Sequence, residues 1–305
     1  PKEVLLKNIL PFTELDAVKS FTLSLTLFAG GGMAFKAIND DMIDDFFAPN
    51  EVGSNAIAIH KDRTEDAKNW LLVNSHQPLD GPFAWYEAHI QSDEGWNILG
   101  GVFPGAATIF VGVNENLGWA HTNNYHAFGD IYELKVNPYN KGFYFYDNEW
   151  IPFKKRKAKI KVKIAGIKIP IQKEILESEY GSVFEKNGKY YALRYAGAMD
   201  IRAGEQWYHM NKAKNLNEFQ GALKMGSLPL FNTIYADKYE NIFMISDGKI
   251  PLRDTSLSWK NPIIGISSKY KWDKLLPFER KVQYLNPTCG YLYNANNTPI
   301  HATAP

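Results

Sequence analysis

At Val52-Gly53-Ser54-Asn55-Ala56-Ile57-Ala58-Ile59 a glycine and a small polar residue feed an alternating apolar run. That pattern is a loop entering a half-buried strand, with one face committed to a core. Read as local structure alone, it is a turn before a core strand. It also allows a second reading, a bond that cuts itself. If the peptide opens between Gly53 and Ser54, Ser54 becomes a chain start with a free α-amine beside its own hydroxyl. An α-amine has a pKa of about 7.7–8, so one residue would carry both a nucleophile and its base.

The stretch Gly53-Ser54-Asn55-Ala56-Ile57-Ala58 resembles the processing site of the penicillin acylase family of N-terminal nucleophile hydrolases, nearest the acyl-homoserine lactone acylase and aculeacin acylase branch. Four further stretches agree in order and approximate spacing. They are Leu71-Leu72-Val73-Asn74-Ser75-His76; Trp85-Tyr86-Glu87-Ala88-His89; Val102-Phe103-Pro104-Gly105 running to Gly118-Trp119-Ala120-His121-Thr122-Asn123; and Asn294-Ala295-Asn296-Asn297. The resemblance implies an α+β fold of four layers, two stacked antiparallel sheets flanked by helices. It further implies that residues 1–53 are the end of an α-chain plus linker, and residues 54–305 the first part of a β-chain. The two would form a heterodimer cut from one precursor, and family members of this kind are exported to the periplasm or secreted. The chain starts at Pro1 without a Met or a basic leader, so a fragment of a longer precursor is expected.

Composition removes several other classes. Lys and Arg number 34 against 33 Asp and Glu, so no global charge draws the chain to nucleic acid or a membrane, and neither partner is expected. The single Cys289 excludes an internal disulfide and offers no metal cluster. No apolar run is long enough for a transmembrane helix. There is no Gly-x-Ser-x-Gly elbow and no His-Glu-x-x-His. Gly30-Gly31-Gly32 lacks the strand and the Gly-Lys-Ser/Thr of a phosphate loop.

Along the chain, Val18, Phe21, Leu25 and Phe28 predict a helix that breaks at the three glycines, with a second from Ala34 to Phe47. Asp40, Asp41, Asp44 and Asp45 read as its solvated face. From Ser54 on, strands dominate, including Leu71–Val73, Thr108–Val113, Ile131–Val136, Phe231–Asp237 and Asn241–Met244. Lys159, Lys161 and Lys163 alternate with apolar residues and return through Ile167, Ile169 and Ile171. This predicts a hairpin turning at Ala165-Gly166, lysines to water and isoleucines inward. Asn215 predicts an N-cap for a helix carrying Phe219, Ala222 and Leu223. Glu240 stands where the family often has Gly.

An amide-cleaving site needs a nucleophile, a base and donors for the oxyanion. Ser54 supplies the first two once cut. By resemblance, the Asn296 side-chain amide and the Asn123 backbone N–H form the oxyanion hole, and His76, 22 positions after Ser54, orients the Ser54 amine and hydroxyl. His89 and His121 read as structural, His121 as a possible pocket wall. Phe83, Trp85, Ile109 and Val111 are the candidate walls of an acyl pocket, or equally ordinary core. No cofactor is required. Calcium occurs in some relatives, and Asp130 matches one ligand position while Ala127 stands where another carboxylate is expected. The expected function is hydrolysis of N-acylated small molecules, of acyl-homoserine lactone or penicillin type, through an acyl-enzyme on Ser54. The alternative is an uncut, acylase-like binding module without turnover.

Overall fold

The alternation at Ser54 is the first of eighteen strands in a computed structural model describing residues 13–26 and 53–304, apart from 82, 125, 127, 165 and 166. The expected glycine break at 30–32, the Ala34–Phe47 helix, Phe28 and the Ala165-Gly166 turn lie outside the described residues. In chain order the early elements are α1 (Glu14–Thr26), β1 (Ser54–Ile59), β2 (Trp70–Ser75), β3 (Tyr86–Ser92), β4 (Trp96–Val102), β5 (Val111–Asn114) and β6 (Leu117–Thr122). The middle holds β7 (Gly129–Leu134), β8 (Phe143–Tyr146), β9 (Glu149–Pro152), β10 (Lys154–Ile164), β11 (Ile167–Ser178), β12 (Gly181–Lys186) and β13 (Lys189–Tyr195). Two helices follow, α2 (Ala203–Lys212) and α3 (Leu216–Leu223). The chain then adds β14 (Asn232–Asp237), β15 (Ile242–Ser246), β16 (Ile263–Gly265), β17 (Gln283–Leu285) and β18 (Tyr291–Asn294).

Two antiparallel sheets stack to form the body that holds the site. One has the order β18-β1-β2, the other β17-β15-β14-β6-β5-β4-β3. Between them lie Ala56, Ala58 and Leu292 of the smaller sheet and Ala120, Ile234, Ala236, Ile242 and Met244 of the larger. Alanines at the contact let the backbones approach closely. On the other face of the larger sheet, Trp207 and Met210 of α2 and Phe219, Ala222 and Leu223 of α3 pack against Trp96, Ile98, Trp119, Tyr235 and Phe243. Every residue of β6, β14 and β15 is therefore buried, because both of their faces are covered.

The helix at Asn215 forms as its cap predicts, with the Asn215 side chain accepting the Glu218 N–H at 3.0 Å. In α1, Phe21 and Leu25 pack on the core while Val18 points to solvent. The architecture is α+β, as expected of a chain holding part of the four-layer arrangement. Helices cover the larger sheet, and among the described residues none covers the outer face of β18-β1-β2. A third sheet, β10-β11-β12-β13-β7-β16, has its own core of Tyr132, Leu134, Tyr144, Phe153, Tyr180 and Tyr190. Its β10–β11 hairpin has the expected register, but Ile169 and Ile171 are 43% and 45% exposed. Period two assigned them to one face, and nothing among the described residues covers that face.

Candidate active site

Period two places Ser54 on the same face of β1 as Ala56 and Ala58, between the stacked sheets. It is 6% exposed and pairs in register with Ser75 of β2. Its hydroxyl donates to the Gly53 carbonyl at 2.8 Å, and its backbone N–H donates to Asn296 Oδ1. No carboxylate or amine side chain bonds the hydroxyl among the described residues. The same Gly53 carbonyl accepts the backbone N–H of His76 at 3.3 Å. Two donors thus converge on the oxygen where negative charge would grow if the Gly53–Ser54 peptide were attacked.

Asn296 reaches Ser54 across 242 positions of sequence because β18 pairs with β1 and ends two residues before it. The turn after β18 is built from its own asparagines. Asn296 adopts φ +65°, a conformation asparagine tolerates. Its N–H donates to Asn294 Oδ1 at 2.9 Å, and Ala295 N–H donates to Asn297 Oδ1 at 2.8 Å. Asn294 Oδ1 also accepts from Thr122 Oγ1 at 2.7 Å and Asn232 Nδ2 at 3.2 Å, tying the turn to the ends of β6 and β14. The sequence motif contained Asn294 without a role; its buried, triply bonded oxygen makes it the anchor of the turn.

Asn123 follows β6 directly. Its carbonyl, not its N–H, meets Asn296, accepting from Nδ2 at 2.7 Å and from Asn232 Nδ2 at 3.3 Å. Asn296 is thereby held at both ends, with one Nδ2 hydrogen unassigned. The neighbouring Asn124 pins the loop by donating to the Asp247 carbonyl at 2.6 Å and accepting from Phe231 N–H. Phe231, at φ +124°, sits in strained backbone between that loop and Asn232.

His76 lies on the solvent side with Asn55 and Asn74, whose amides approach Nε2 at 3.1 and 3.2 Å. With those amides donating, Nε2 is the acceptor and Nδ1 carries the proton. Nδ1 faces Gly53, since a Cβ added there would sit 3.2 Å from it and 3.0 Å from Asn296 Oδ1. The ring therefore approaches the bond from the glycine side and makes no hydrogen bond to the Ser54 hydroxyl. His121 is structural: it accepts from Trp207 Nε1 at 3.1 Å and stacks on Phe231. Burial pushes its pKa down to about 3, so it is neutral. His89 bonds Asn97 at an exposed position.

A cleft of about 970 Å³ opens beside β2, between it and β4, β5 and β6. Its wall reaches Ser75, the register partner of Ser54, and includes Val73, Trp85, Leu99 and Val111. Trp85 also stacks on Phe103 with centroids 4.5 Å apart, and Phe83 meets the same ring edge-on. Ile109 is fully buried in the core below and does not line the cleft. Asp130 is buried, accepting from Arg253 Nε at 2.9 Å and Trp272 Nε1 at 2.6 Å. Its partner position Ala127 lies outside the described residues, and no group of three His, Cys, Asp or Glu gathers among those described. A single carboxylate already bonded by two protein donors does not fit calcium, which takes six to eight oxygens.

Comparison with known proteins gives a consistent picture. The family model for penicillin amidase matches residues 4–305. An acyl-homoserine lactone acylase PvdQ of Pseudomonas fluorescens is 29% identical over 202 residues, 63% of this chain and 26% of that protein. Penicillin G acylase of Escherichia coli is 26% identical over 258 residues, 81% of this chain and 29% of its own. Among solved structures, thermostable penicillin G acylase from Alcaligenes faecalis superposes with TM-score 0.71 at 24% identity, covering 82% of this chain and 45% of that one. That likeness shows a shared fold. The chain spans between a quarter and a third of the length of these curated relatives.

Proposed function

The chain belongs to the penicillin amidase family, and from that premise we propose that it is the nucleophile-bearing part of an acylase that opens its own Gly53–Ser54 peptide and then hydrolyses N-acylated small molecules. The observation that carries this reading is the setting of that one bond, flanked by Asn296 on its nitrogen and by two donors on its carbonyl. In the first step the Ser54 hydroxyl turns from the Gly53 oxygen to its carbon. The C–O bond forms, charge on the carbonyl oxygen is held by His76 N–H, the C–N bond breaks, and the nitrogen takes the hydroxyl proton. Water then hydrolyses the resulting ester, leaving a Gly53 carboxylate and a free α-amine on Ser54.

That amine is the missing base. No other base touches the hydroxyl among the described residues, and an α-amine near neutrality is partly unprotonated. Asn296 Oδ1 holds one amine hydrogen, which directs the lone pair toward the hydroxyl. The substrate carbonyl is attacked, the amine receives the proton and passes it to the leaving amine, and water releases the acid. The unassigned Asn296 Nδ2 hydrogen and the Asn123 loop supply the oxyanion donors. Such a donor contributes about 10²–10³ in rate.

The cleft beside Ser75, walled by Val73, Trp85, Leu99 and Val111, suits an aliphatic or aromatic acyl group. Acyl-homoserine lactones and penicillins are the two substrate types, in line with what the relatives are named for. Residues before Ser54 belong to an α-chain and those after it to a β-chain, and the protein works outside the cytoplasm. Acid release from a panel of N-acyl amides by the full-length protein tests the reading. Loss of release in Ser54→Ala supports it; release that survives the substitution removes Ser54 from the mechanism.

A further inference from the structure

The β10–β11 hairpin takes no part in this chemistry. The two strands pair along their whole length, from Lys154 opposite Glu177 to Ile164 opposite Ile167. The next strand, β12, joins only at Leu176, Glu177 and Ser178. Residues 154–164 and 167–175 therefore leave the third sheet as a two-stranded ribbon about 30 Å long. An isolated ribbon of this kind is marginal in water unless one face is covered.

Its two faces differ sharply. The pairs Ile160–Ile171, Val162–Ile169 and Ile164–Ile167 belong to one face, and Lys157–Glu174, Lys159–Gln172 and Lys161–Pro170 to the other. Among the described residues nothing covers the apolar face at Ile169 and Ile171. Near the base Lys155 and Arg156 are neutralised by Glu174 and Glu177 at 3.0 and 3.1 Å. Beyond them, residues 157–173 carry six lysines and no acidic residue. Segment 154–177 has nine basic and two acidic residues, a net +7 within a chain of net +1. The balanced total conceals a strongly polarised molecule.

We propose that this ribbon is a docking arm for an anionic phospholipid bilayer. The isoleucine face enters the headgroup boundary, and the lysine side chains snorkel to the lipid phosphates. Both halves of the ribbon are used by this partner. A nucleic acid would engage only the lysines, and the ribbon has no aromatic residue for base stacking.

Flotation of the full-length protein with vesicles tests this, comparing phosphatidylcholine alone with phosphatidylcholine containing a quarter phosphatidylglycerol. The protein should float with the anionic vesicles, stay behind with the neutral ones, and be released by high salt. Each lysine near such a surface counts for about a fivefold change in affinity, so Lys157→Gln/Lys159→Gln/Lys173→Gln should weaken binding about a hundredfold. Ile169→Asn/Ile171→Asn should also weaken it, with the melting temperature and acyl-amide hydrolysis in solution unchanged. Failure to float with anionic vesicles overturns the proposal. So does vesicle binding that the isoleucine substitutions leave intact while the lysine substitutions abolish retention on both vesicles and heparin, which marks a polyanion contact. Lipid-free self-association lost on Ile169→Asn/Ile171→Asn would assign the face to a second copy and equally overturn it.

Discussion

Gly53→Ala places a single methyl group beside the Gly53–Ser54 bond that we propose opens. The new Cβ would lie 3.0 Å from Asn296 Oδ1, whereas ordinary contact begins at 3.4 Å, so the Asn296 amide must retreat by about 0.4 Å. It cannot do so freely, since its Nδ2 is bonded to the Asn123 carbonyl at 2.7 Å and its backbone N–H to Asn294 at 2.9 Å. A displacement of about 1 Å at a reacting centre is worth about a hundredfold in rate, so scission should slow about tenfold. Global stability should move by less than about 1 kcal/mol, because the lower entropy of the unfolded alanine chain offsets the local crowding. The assay is conversion of freshly made precursor to fragments, followed by mass spectrometry, with thermal melts as control. In an Asn296→Ala background the tightest contact is gone and only the 3.2 Å approach to the exposed His76 ring remains, so the methyl group should slow scission clearly less. Wild-type conversion by Gly53→Ala, or an equal slowing in both backgrounds, would refute the reasoning.

Two other outcomes follow from the buried network. Asn294→Ala strips the shared acceptor from Thr122, Asn232 and the Asn296 N–H. Urea titration should show a loss of about 2–4 kcal/mol, and scission should slow, whereas Asn294→Asp, which keeps the acceptor, should do less to both. His121 is held neutral by burial, its pKa pushed down to about 3, while in the unfolded chain it titrates near 6.5. The unfolded state thus binds the extra proton as pH falls below about 6.5, so stability is lost from there toward acid. His121→Gln should flatten the dependence of the urea midpoint between about pH 7 and about pH 5, and an unchanged slope would show that His121 does not carry it.

What could be read in the sequence was local. The Gly-Ser-Asn-Ala-Ile run, the Asn215 cap and the short apolar strands each announce themselves within a few residues. Helix α2 did not, because its buried stripe of Ala203, Gln206, Trp207, Met210 and Asn211 includes two amides. Those amides serve the backbone: Gln206 accepts from Ser227 and Leu228, and Asn211 clasps both polar groups of Ile109. Periodicity sees them only as interruptions. Glu240, out of place by resemblance, adopts φ +77°, which glycine takes without strain, and its carboxylate pairs with Lys61 at 2.5 Å. His76 also offers its backbone N–H to the Gly53 carbonyl, and no side-chain pattern encodes that. For the hairpin, alternation sorted residues onto faces but could not say which face is covered.

The central claim is that Ser54 becomes a chain start with its own amine as base. Intact-mass and N-terminal sequencing of the purified full-length protein test it most directly. A fragment beginning at Ser54 in the wild type, with a single uncut chain in Ser54→Ala, is the expected result. Acid release by a protein whose Gly53–Ser54 bond remains closed would contradict the account.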